Sequence, residues 1–263
     1  NLSGKHSEKL YLAALQMLRE NRFGKFLTEN GYDIKNFAFF EMGGQPGFKN
    51  DFIPDGKKLI RERTLFPRLR KDLGYHLMLK LKIKKMIERE KVNLFHKATR
   101  DVRRIDSVAK YVRRTNEKPR FFYIHFQMPH QPYYFTRDGI FVGFEQAIGT
   151  SKKINEKEAY LGYLQYGNNK IIQMIDTILS KSLEPPVILL ISDHGFRGND
   201  LEKKYHFMNL CAVYDGKNKD SLFYNGISNV NLLRMLLNKK FNQNLSILKD
   251  TTYFLVQARL KSD

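Results

Sequence analysis

Residues 185–195 read Pro-Pro-Val-Ile-Leu-Leu-Ile-Ser-Asp-His-Gly and give the strongest structural signal in the chain. The apolar run Val187-Ile-Leu-Leu-Ile-Ser192 has the length and composition of a strand in the centre of a parallel sheet. Two polar side chains, Asp193 and His194, follow it directly. In open α/β sheets, ligands bind beyond the carboxyl ends of the strands. The run therefore predicts both a sheet and the position of a site.

Strands and helices are predicted to alternate on either side of this run, which indicates an α/β fold with a mostly parallel central sheet covered by helices on both faces. No linker or repeat interrupts the pattern, so residues 1–263 are predicted to form a single domain. The other predicted strands span residues 34–40, 121–126 and 209–214, and the predicted helices span residues 8–29, most of the basic stretch 57–114, 155–181 and 228–238.

The chain has 263 residues and a strong excess of positive charge. Lys and Arg number 46 against 27 Asp and Glu, which gives a net charge of +19. Such a charge attracts nucleic acid, anionic lipid headgroups, or phosphorylated or sulfated substrates, and does not choose among them. The single cysteine, Cys211, excludes an internal disulfide, and its apolar neighbours predict a small core residue.

Asp193 and His194 are the first candidates for chemistry. A carboxylate oxygen beside an imidazole nitrogen suits a divalent metal ion, and Gly195 permits a tight turn that frees both side chains. The alternative is a capping aspartate followed by an exposed histidine.

A second cluster lies around Phe121-Phe-Tyr-Ile-His-Phe126 and Met128-Pro-His-Gln-Pro132. His125 falls inside the apolar run, which predicts a core histidine. His130 lies between two prolines that restrict its backbone. An imidazole in such a position is suited to bind an anionic oxygen or to protonate a leaving group.

Six motifs stand in a recognisable order along the chain. They are Phe26-Leu-Thr-Glu-Asn-Gly-Tyr32, Tyr123-Ile-His-Phe-Gln-Met-Pro-His-Gln-Pro-Tyr133, Tyr160-Leu-Gly-Tyr-Leu-Gln-Tyr-Gly-Asn-Asn-Lys170, residues 185–195, Asn209-Leu-Cys-Ala-Val-Tyr214 and Ile227-Ser-Asn-Val-Asn-Leu-Leu-Arg234. This order resembles the sulfatase/alkaline-phosphatase superfamily, in particular bacterial sulfatase-like hydrolases and transferases related to lipoteichoic acid synthase and phosphoethanolamine transferase catalytic domains. The resemblance spans most of the chain.

This resemblance implies hydrolysis or transfer of phosphate or sulfate esters by a nucleophile that is bound to a divalent metal, either Mn, Mg, Ca or Zn. Asp193 and His194 would ligate the metal, and His130 would contact the transferred group. The resemblance also implies an extracytoplasmic protein of bacterial type, at the periplasm or cell surface, tethered by an upstream membrane segment and working beside an anionic membrane surface.

The chain departs from the family pattern at its amino end. The family's first strand, acidic metal ligand and nucleophile are not found after Asn1, so the chain is expected to be the carboxyl two-thirds of the domain and inactive alone, with the nucleophile upstream. Ser3 has no strand or acidic partner before it, so it is expected to be a capping or disordered serine and not the nucleophile. His206 is a weak candidate for a further metal ligand, and Glu41 and Gln45 are candidates for the same sheet edge.

Two other functions stay open from the sequence. The charge and the cation–aliphatic alternation from Lys80 to Lys91 suit a basic module that binds anionic lipid, glycan or nucleic acid without catalysis. The spread of basic residues along the chain and the lack of a nucleic-acid motif argue against nucleic acid. A non-catalytic relative of the same fold is the other alternative.

Overall fold

The computed structural model describes residues 4–47, 64, 80–81, 84–112, 118–149, 155–197, 202–216 and 223–252. The chain forms two compact units, Asn1–Ile175 and Asp176–Asp263, and each is described by itself. In the described residues of the first unit, the elements are α1 (Gly4–Arg19), α2 (Arg22–Glu29), β1 (Asp33–Phe37), α3 (Lys84–Ala98), α4 (Arg100–Val112), β2 (Arg120–Ile124) and α5 (Phe144–Ala147). Helix α6 (Glu156–Lys181) begins in this unit and continues into the second, which also contains β3 (Ile188–Ile191), a 3-10 helix (Lys203–Phe207), β4 (Cys211–Tyr214) and α7 (Asn229–Phe241).

A parallel strand pair forms the centre of the first unit. β1 and β2 pair from Asp33 opposite Arg120 to Phe37 opposite Ile124. α2 packs on β1, and the chain turns from the helix into the strand at Gly31, whose φ of 80° favours glycine. The core of this unit contains Leu27, Ile34, Phe37, Ala38, Phe39, Met42, Ala98, Ile105, Val108, Met128, Phe135, Phe144, Ala147, Tyr163 and Met174.

The amino-terminal helix predicted over residues 8–29 is wrong in one respect, because the structure has two helices there. Asn21 separates them as the N-cap of α2, and its Oδ1 accepts a hydrogen bond from the Gly24 amide at 2.6 Å. Asparagine is favoured at such a cap because its side chain satisfies an amide that the first helical turn leaves without a partner.

The second unit contains an antiparallel pair. β3 and β4 pair from Ile188 opposite Tyr214 to Ile191 opposite Cys211. Ser228 caps α7 and accepts from the Asn231 amide at 3.4 Å, and Asn242 ends the helix in the left-handed conformation. Leu232 and Leu236 on this helix are buried.

The α/β class is confirmed, and the helix predicted over residues 155–181 is found at Glu156–Lys181. Within the described residues, the parallel part of the predicted central sheet is the β1–β2 pair; β3, predicted for the centre of that sheet, pairs antiparallel with β4. The core position predicted for Cys211 is wrong, because most side chains of β4, including this one, are exposed. The single domain stays a prediction, and no described helix has the length and apolar character that a bilayer crossing requires.

Candidate functional site

Ser192 directly follows β3 and makes two hydrogen bonds to Leu210, the residue before β4. Its amide donates to the Leu210 carbonyl at 3.0 Å, and its hydroxyl oxygen accepts from the Leu210 amide at 2.7 Å. These bonds extend the β3–β4 pairing by one residue. These bonds therefore fix the direction of the backbone at the end of the strand, immediately before Asp193.

The carbonyl oxygen of Ser192 accepts hydrogen bonds from two side-chain amides. Asn209 Nδ2 lies 3.1 Å from it and Asn229 Nδ2 lies 3.0 Å from it. Asn209 Nδ2 also donates to Asn229 Oδ1 at 3.1 Å. Asn209 precedes β4 and Asn229 opens α7, so the strand end is tied to two other elements. The sequence showed both asparagines within recognised motifs but gave no role to either.

Asp193 and His194 lie side by side at this strand end. His194 Nδ1 is 2.7 Å from the Gly195 carbonyl oxygen, which can only accept, so the network assigns the proton to Nδ1. In the neutral ring this leaves the Nε2 lone pair available, and Nε2 lies 3.6 Å from Asp193 Oδ2. The Asp193 side chain is 85% exposed and that of His194 is 31% exposed. Both potential ligand atoms therefore face the same small region of space.

Gly195 is required because the 3-10 helix passes close to it. Its amide donates to the His206 carbonyl at 2.9 Å. A Cβ at this position would lie 2.0 Å from the Tyr205 carbonyl oxygen and 2.7 Å from that of Met208. A larger residue would displace this backbone, which shows why the position after His194 is a glycine.

The Asp193–His194 pair fits a divalent cation as two of its ligands. A carboxylate oxygen and an imidazole nitrogen whose other nitrogen is tied to a carbonyl form a donor set that is common in metal sites. Across the described residues, no three His, Cys, Asp or Glu side chains come together in a way that could hold a metal ion. His206 contributes its backbone to this region through the bond with Gly195, and its predicted role as a further ligand has no support from that contact.

His130 lies on an exposed loop in the first unit. Its amide donates to the Gln127 carbonyl at 2.6 Å, and its Nδ1 lies 2.6 Å from the Gln131 carbonyl oxygen. As in His194, a hydrogen bond to a carbonyl oxygen assigns the ring proton to Nδ1. Nε2 takes no part in that hydrogen bond. The Gln131 side chain donates to Glu156 and to the Tyr133 hydroxyl, which ties the loop to the start of α6.

A buried ion pair fixes the backbone just before this loop. Asp101 Oδ2 accepts the Gln127 and Met128 amides at 2.7 and 2.9 Å. Arg104 donates to Asp101 Oδ1 and to the His125 carbonyl, both at 2.8 Å, and stacks 4.2 Å from the Phe39 ring centre. Burial lowers the pKa of the Arg104 guanidinium, and the Asp101 carboxylate opposes that shift. The sequence reasoning missed both residues; their i, i+3 spacing on a helix was the available signal.

A cavity of about 430 Å³ opens between the 135–141 hairpin and the first turns of α6. Tyr133, three residues after His130, lines it together with Arg137, Glu158 and Gly162. Its wall therefore combines an aromatic ring with both signs of charge.

The remaining sequence candidates have structural contacts. His125, predicted to be a core histidine, is half-buried, with its ring 4.9 Å from that of Phe39. Glu41 pairs with Arg19 at 3.0 Å, and the Gln45 backbone bridges to Met42. Ser3 lies outside the described residues.

Comparison with protein families gives a match that covers most of the chain. The family model described as Sulfatase matches residues 5–243. Searches of curated proteins and of solved structures return no significant match. The matched span includes the Asp193–His194 strand end, the His130 loop and both strand pairs. The chain belongs to the sulfatase family.

Proposed function

We propose that this chain takes part in the hydrolysis or transfer of phosphate or sulfate esters, with Asp193 and His194 as ligands of one divalent metal ion. Membership of the sulfatase family gives the ester class, and members of this family generally use a divalent metal. The observation that supports the two ligands is the position of Asp193 Oδ2 and His194 Nε2, 3.6 Å apart at a strand end, with the other ring nitrogen tied to Gly195.

A divalent ion at this position would supply positive charge that stabilises the anionic oxygens of the reacting ester. The chain's own contribution is to hold the ligands. Asp193 offers a largely exposed carboxylate, and the Gly195 carbonyl keeps the His194 proton on Nδ1, so that Nε2 is the ligand atom. Oxygen and nitrogen donors of this kind suit Mn, Mg, Ca or Zn.

His130 is proposed to contact the transferred phosphate or sulfate group. His130 is exposed on a loop whose backbone is fixed by Asp101 and by the Gln131–Glu156 contact. A histidine held in this way loses little freedom when it binds an anionic oxygen.

The motif order supports a finer proposal within the family. The chain is proposed to be part of a single bacterial sulfatase-like domain related to lipoteichoic acid synthase and phosphoethanolamine transferases, located outside the cytoplasm and beside an anionic membrane surface. The upstream nucleophile and the upstream membrane tether stay predictions from the family resemblance.

Metal binding by the chain itself tests the two ligands. Mn²⁺ titration followed by electron paramagnetic resonance is expected to show one site. Asp193→Ala and His194→Ala should each weaken it by more than about 10-fold, because each removes a direct ligand. Glu202→Ala is the matched control, since Glu202 is an exposed carboxylate of the same unit that pairs with Lys204 at 2.8 Å.

Two results would overturn this assignment. One is the absence of Mn²⁺ binding by the folded chain, and the other is binding that Asp193→Ala leaves unchanged. In either case the second candidate, a basic module that binds anionic lipid, glycan or nucleic acid without catalysis, is favoured by the net charge of +19.

A further inference from the structure

We infer that Asn209 and Asn229 are positioning residues of the metal site, an inference that rests on the proposed function. Both side-chain amides donate to one atom, the carbonyl oxygen of Ser192, at 3.1 and 3.0 Å. Ser192 immediately precedes Asp193. The side-chain hydrogen bonds of the two asparagines go to the Ser192 carbonyl and to each other, so their effect on a metal would act through the backbone.

The peptide bond between Ser192 and Asp193 carries this effect. Because a peptide unit is planar, the direction of the Ser192 carbonyl sets the direction of the Asp193 amide and the point from which the Asp193 side chain departs. A carbonyl oxygen has two lone pairs, and the two asparagines supply two donors. The orientation of this peptide is thus fixed from two sides.

The two donors come from different elements, which makes the arrangement specific to this strand end. Asn209 lies just before β4, and Asn229 is the first residue of α7. The bond from Asn209 Nδ2 to Asn229 Oδ1, at 3.1 Å, joins the two side chains and orients the Asn229 amide toward Ser192. A change at either asparagine therefore loosens the contact of the other.

Pairing of the strands does not require these amides. The β3–β4 ladder and the Leu210 bonds to Ser192 already hold the strand, and Asn209 is exposed, so water can replace its amide when it is removed. What water does not replace is the fixed direction of the Ser192 carbonyl. Groups that orient metal ligands in this way typically change metal affinity by about 10–100-fold when they are removed.

The test compares metal affinity with thermal stability in the complete chain. Asn209→Ala, Asn229→Ala and the double variant are titrated with Mn²⁺, and their unfolding is followed by circular dichroism. The double variant is expected to bind Mn²⁺ at least about 10-fold more weakly than the wild type. In each single variant, Mn²⁺ affinity should fall by a smaller factor. The single variants also keep the test valid if the double variant does not fold.

Asn238→Ala is the matched control. Asn238 lies on the same helix, α7, and its side chain, like that of Asn229, makes two hydrogen bonds; both go to Leu245, to its amide at 2.8 Å and its carbonyl at 2.9 Å. This variant should lower the melting temperature as much as Asn229→Ala does and leave Mn²⁺ affinity unchanged. A purely structural role of Asn209 and Asn229 would instead give equal affinities in all folded variants.

The outcomes separate the two proposals. Weaker Mn²⁺ binding in the Asn209 and Asn229 variants, with the control unaffected, supports the positioning role. Wild-type affinity in these variants, when Asp193→Ala abolishes binding, overturns the positioning role and leaves the metal ligands in place. No Mn²⁺ binding by the wild-type chain overturns both.

Discussion

Asp101 and Arg104 are the buried charged side chains among the described residues of the first unit, with 4% and 2% exposure. Removing two charges from water is costly, and pairing and hydrogen bonds offset that cost only where the geometry is good. Here the carboxylate accepts two backbone amides and one guanidinium hydrogen bond. The pair thus joins α4 to the backbone that leads to His130.

Asp101→Ala should lower the free energy of unfolding by about 3–5 kcal/mol, because it leaves the Arg104 charge buried without its partner. Asp101→Asn, which keeps an acceptor oxygen, should cost less. Urea unfolding followed by circular dichroism measures this, since the chain contains no tryptophan.

The control for this prediction is Glu88→Ala, which breaks an exposed ion pair with Lys91. Exposed pairs of this type contribute at most about 1 kcal/mol. An Asp101→Ala variant as stable as Glu88→Ala would show that the buried pair does not support the loop.

At the scale of elements, the segment after α7 is held without regular secondary structure. Asn231 is fully buried; its Nδ2 donates to the Leu248 carbonyl and to Asp250 Oδ1, at 2.7 and 2.8 Å. The Leu248 amide donates back to Asn231 Oδ1 at 3.0 Å. Asp250 also accepts from the Ser228 amide at 2.9 Å and from the Tyr224 hydroxyl. These contacts fasten the segment to the start of the helix.

This arrangement predicts a pH dependence. Hydrogen bonds from Ser228 and Tyr224 lower the pKa of Asp250 to about 2. In the unfolded chain an aspartate has a pKa of about 3.9. The contribution of Asp250 to stability is therefore complete above about pH 4–5 and is lost as the pH falls through about 2.

Titration of the Asp250 carboxyl carbon by NMR checks this value. Ser228→Ala should raise the pKa of Asp250 toward that of an unfolded aspartate, because it removes the hydrogen bond from the Ser228 side chain, which is the largest cause of the shift, although the Ser228 backbone amide still donates. Asp250→Asn should abolish the contribution at every pH. A wild-type pKa near 3.9 would contradict the hydrogen-bonded arrangement.

The elements show how far the sequence was informative. α6 was predicted to within one residue of each end, because a long helical run is bounded by Asn155 and by Pro185. The break at Asn21 was missed, since it depends on a side-chain hydrogen bond that apolar periodicity does not reveal. The strand that pairs with β3 could also not be predicted from the sequence, because strand pairing is decided by residues that are distant in the chain.

In the candidate site, too, some residues could be predicted from the sequence and others could not. Asp193, His194 and His130 were identifiable because they stand at strand ends in recognisable motifs, although their roles stay predictions. Asn209 lies in a recognisable motif and Asp101 stands three residues before Arg104, but neither pattern assigns a role to the side chain, since both patterns are common. Only the folded chain places their side chains against the Ser192 carbonyl and the Gln127 amide.

For the whole molecule, the net charge of +19 needs an explanation that the family alone does not give. Positive charge attracts any polyanion, and this attraction weakens steeply with salt because binding releases counterions. An enzyme that works beside an anionic membrane and a module that binds nucleic acid would both show it at low ionic strength. The two functions differ in the affinity for nucleic acid that remains at physiological salt.

Duplex DNA should bind this chain only as a generic polyanion. At about 150 mM salt the Kd should be no tighter than the micromolar range typical of non-specific contacts, and the log–log plot of affinity against salt should be linear. Fluorescence anisotropy over a salt series measures this, with vesicles containing phosphatidylserine or only phosphatidylcholine as the lipid comparison. Only the vesicles that contain phosphatidylserine should bind the chain, because the attraction is electrostatic.

Asp193→Ala links this experiment to the proposed metal site, because it removes a metal ligand and makes the net charge more positive by one. Polyanion binding should therefore be retained or slightly strengthened in this variant while Mn²⁺ binding is lost, since a distributed surface charge does not depend on one carboxylate. Submicromolar, sequence-dependent DNA binding at physiological salt would instead identify a nucleic-acid module. Loss of DNA binding together with Mn²⁺ binding would mean that the two ligands share one site, and the electrostatic interpretation of the net charge would then be wrong.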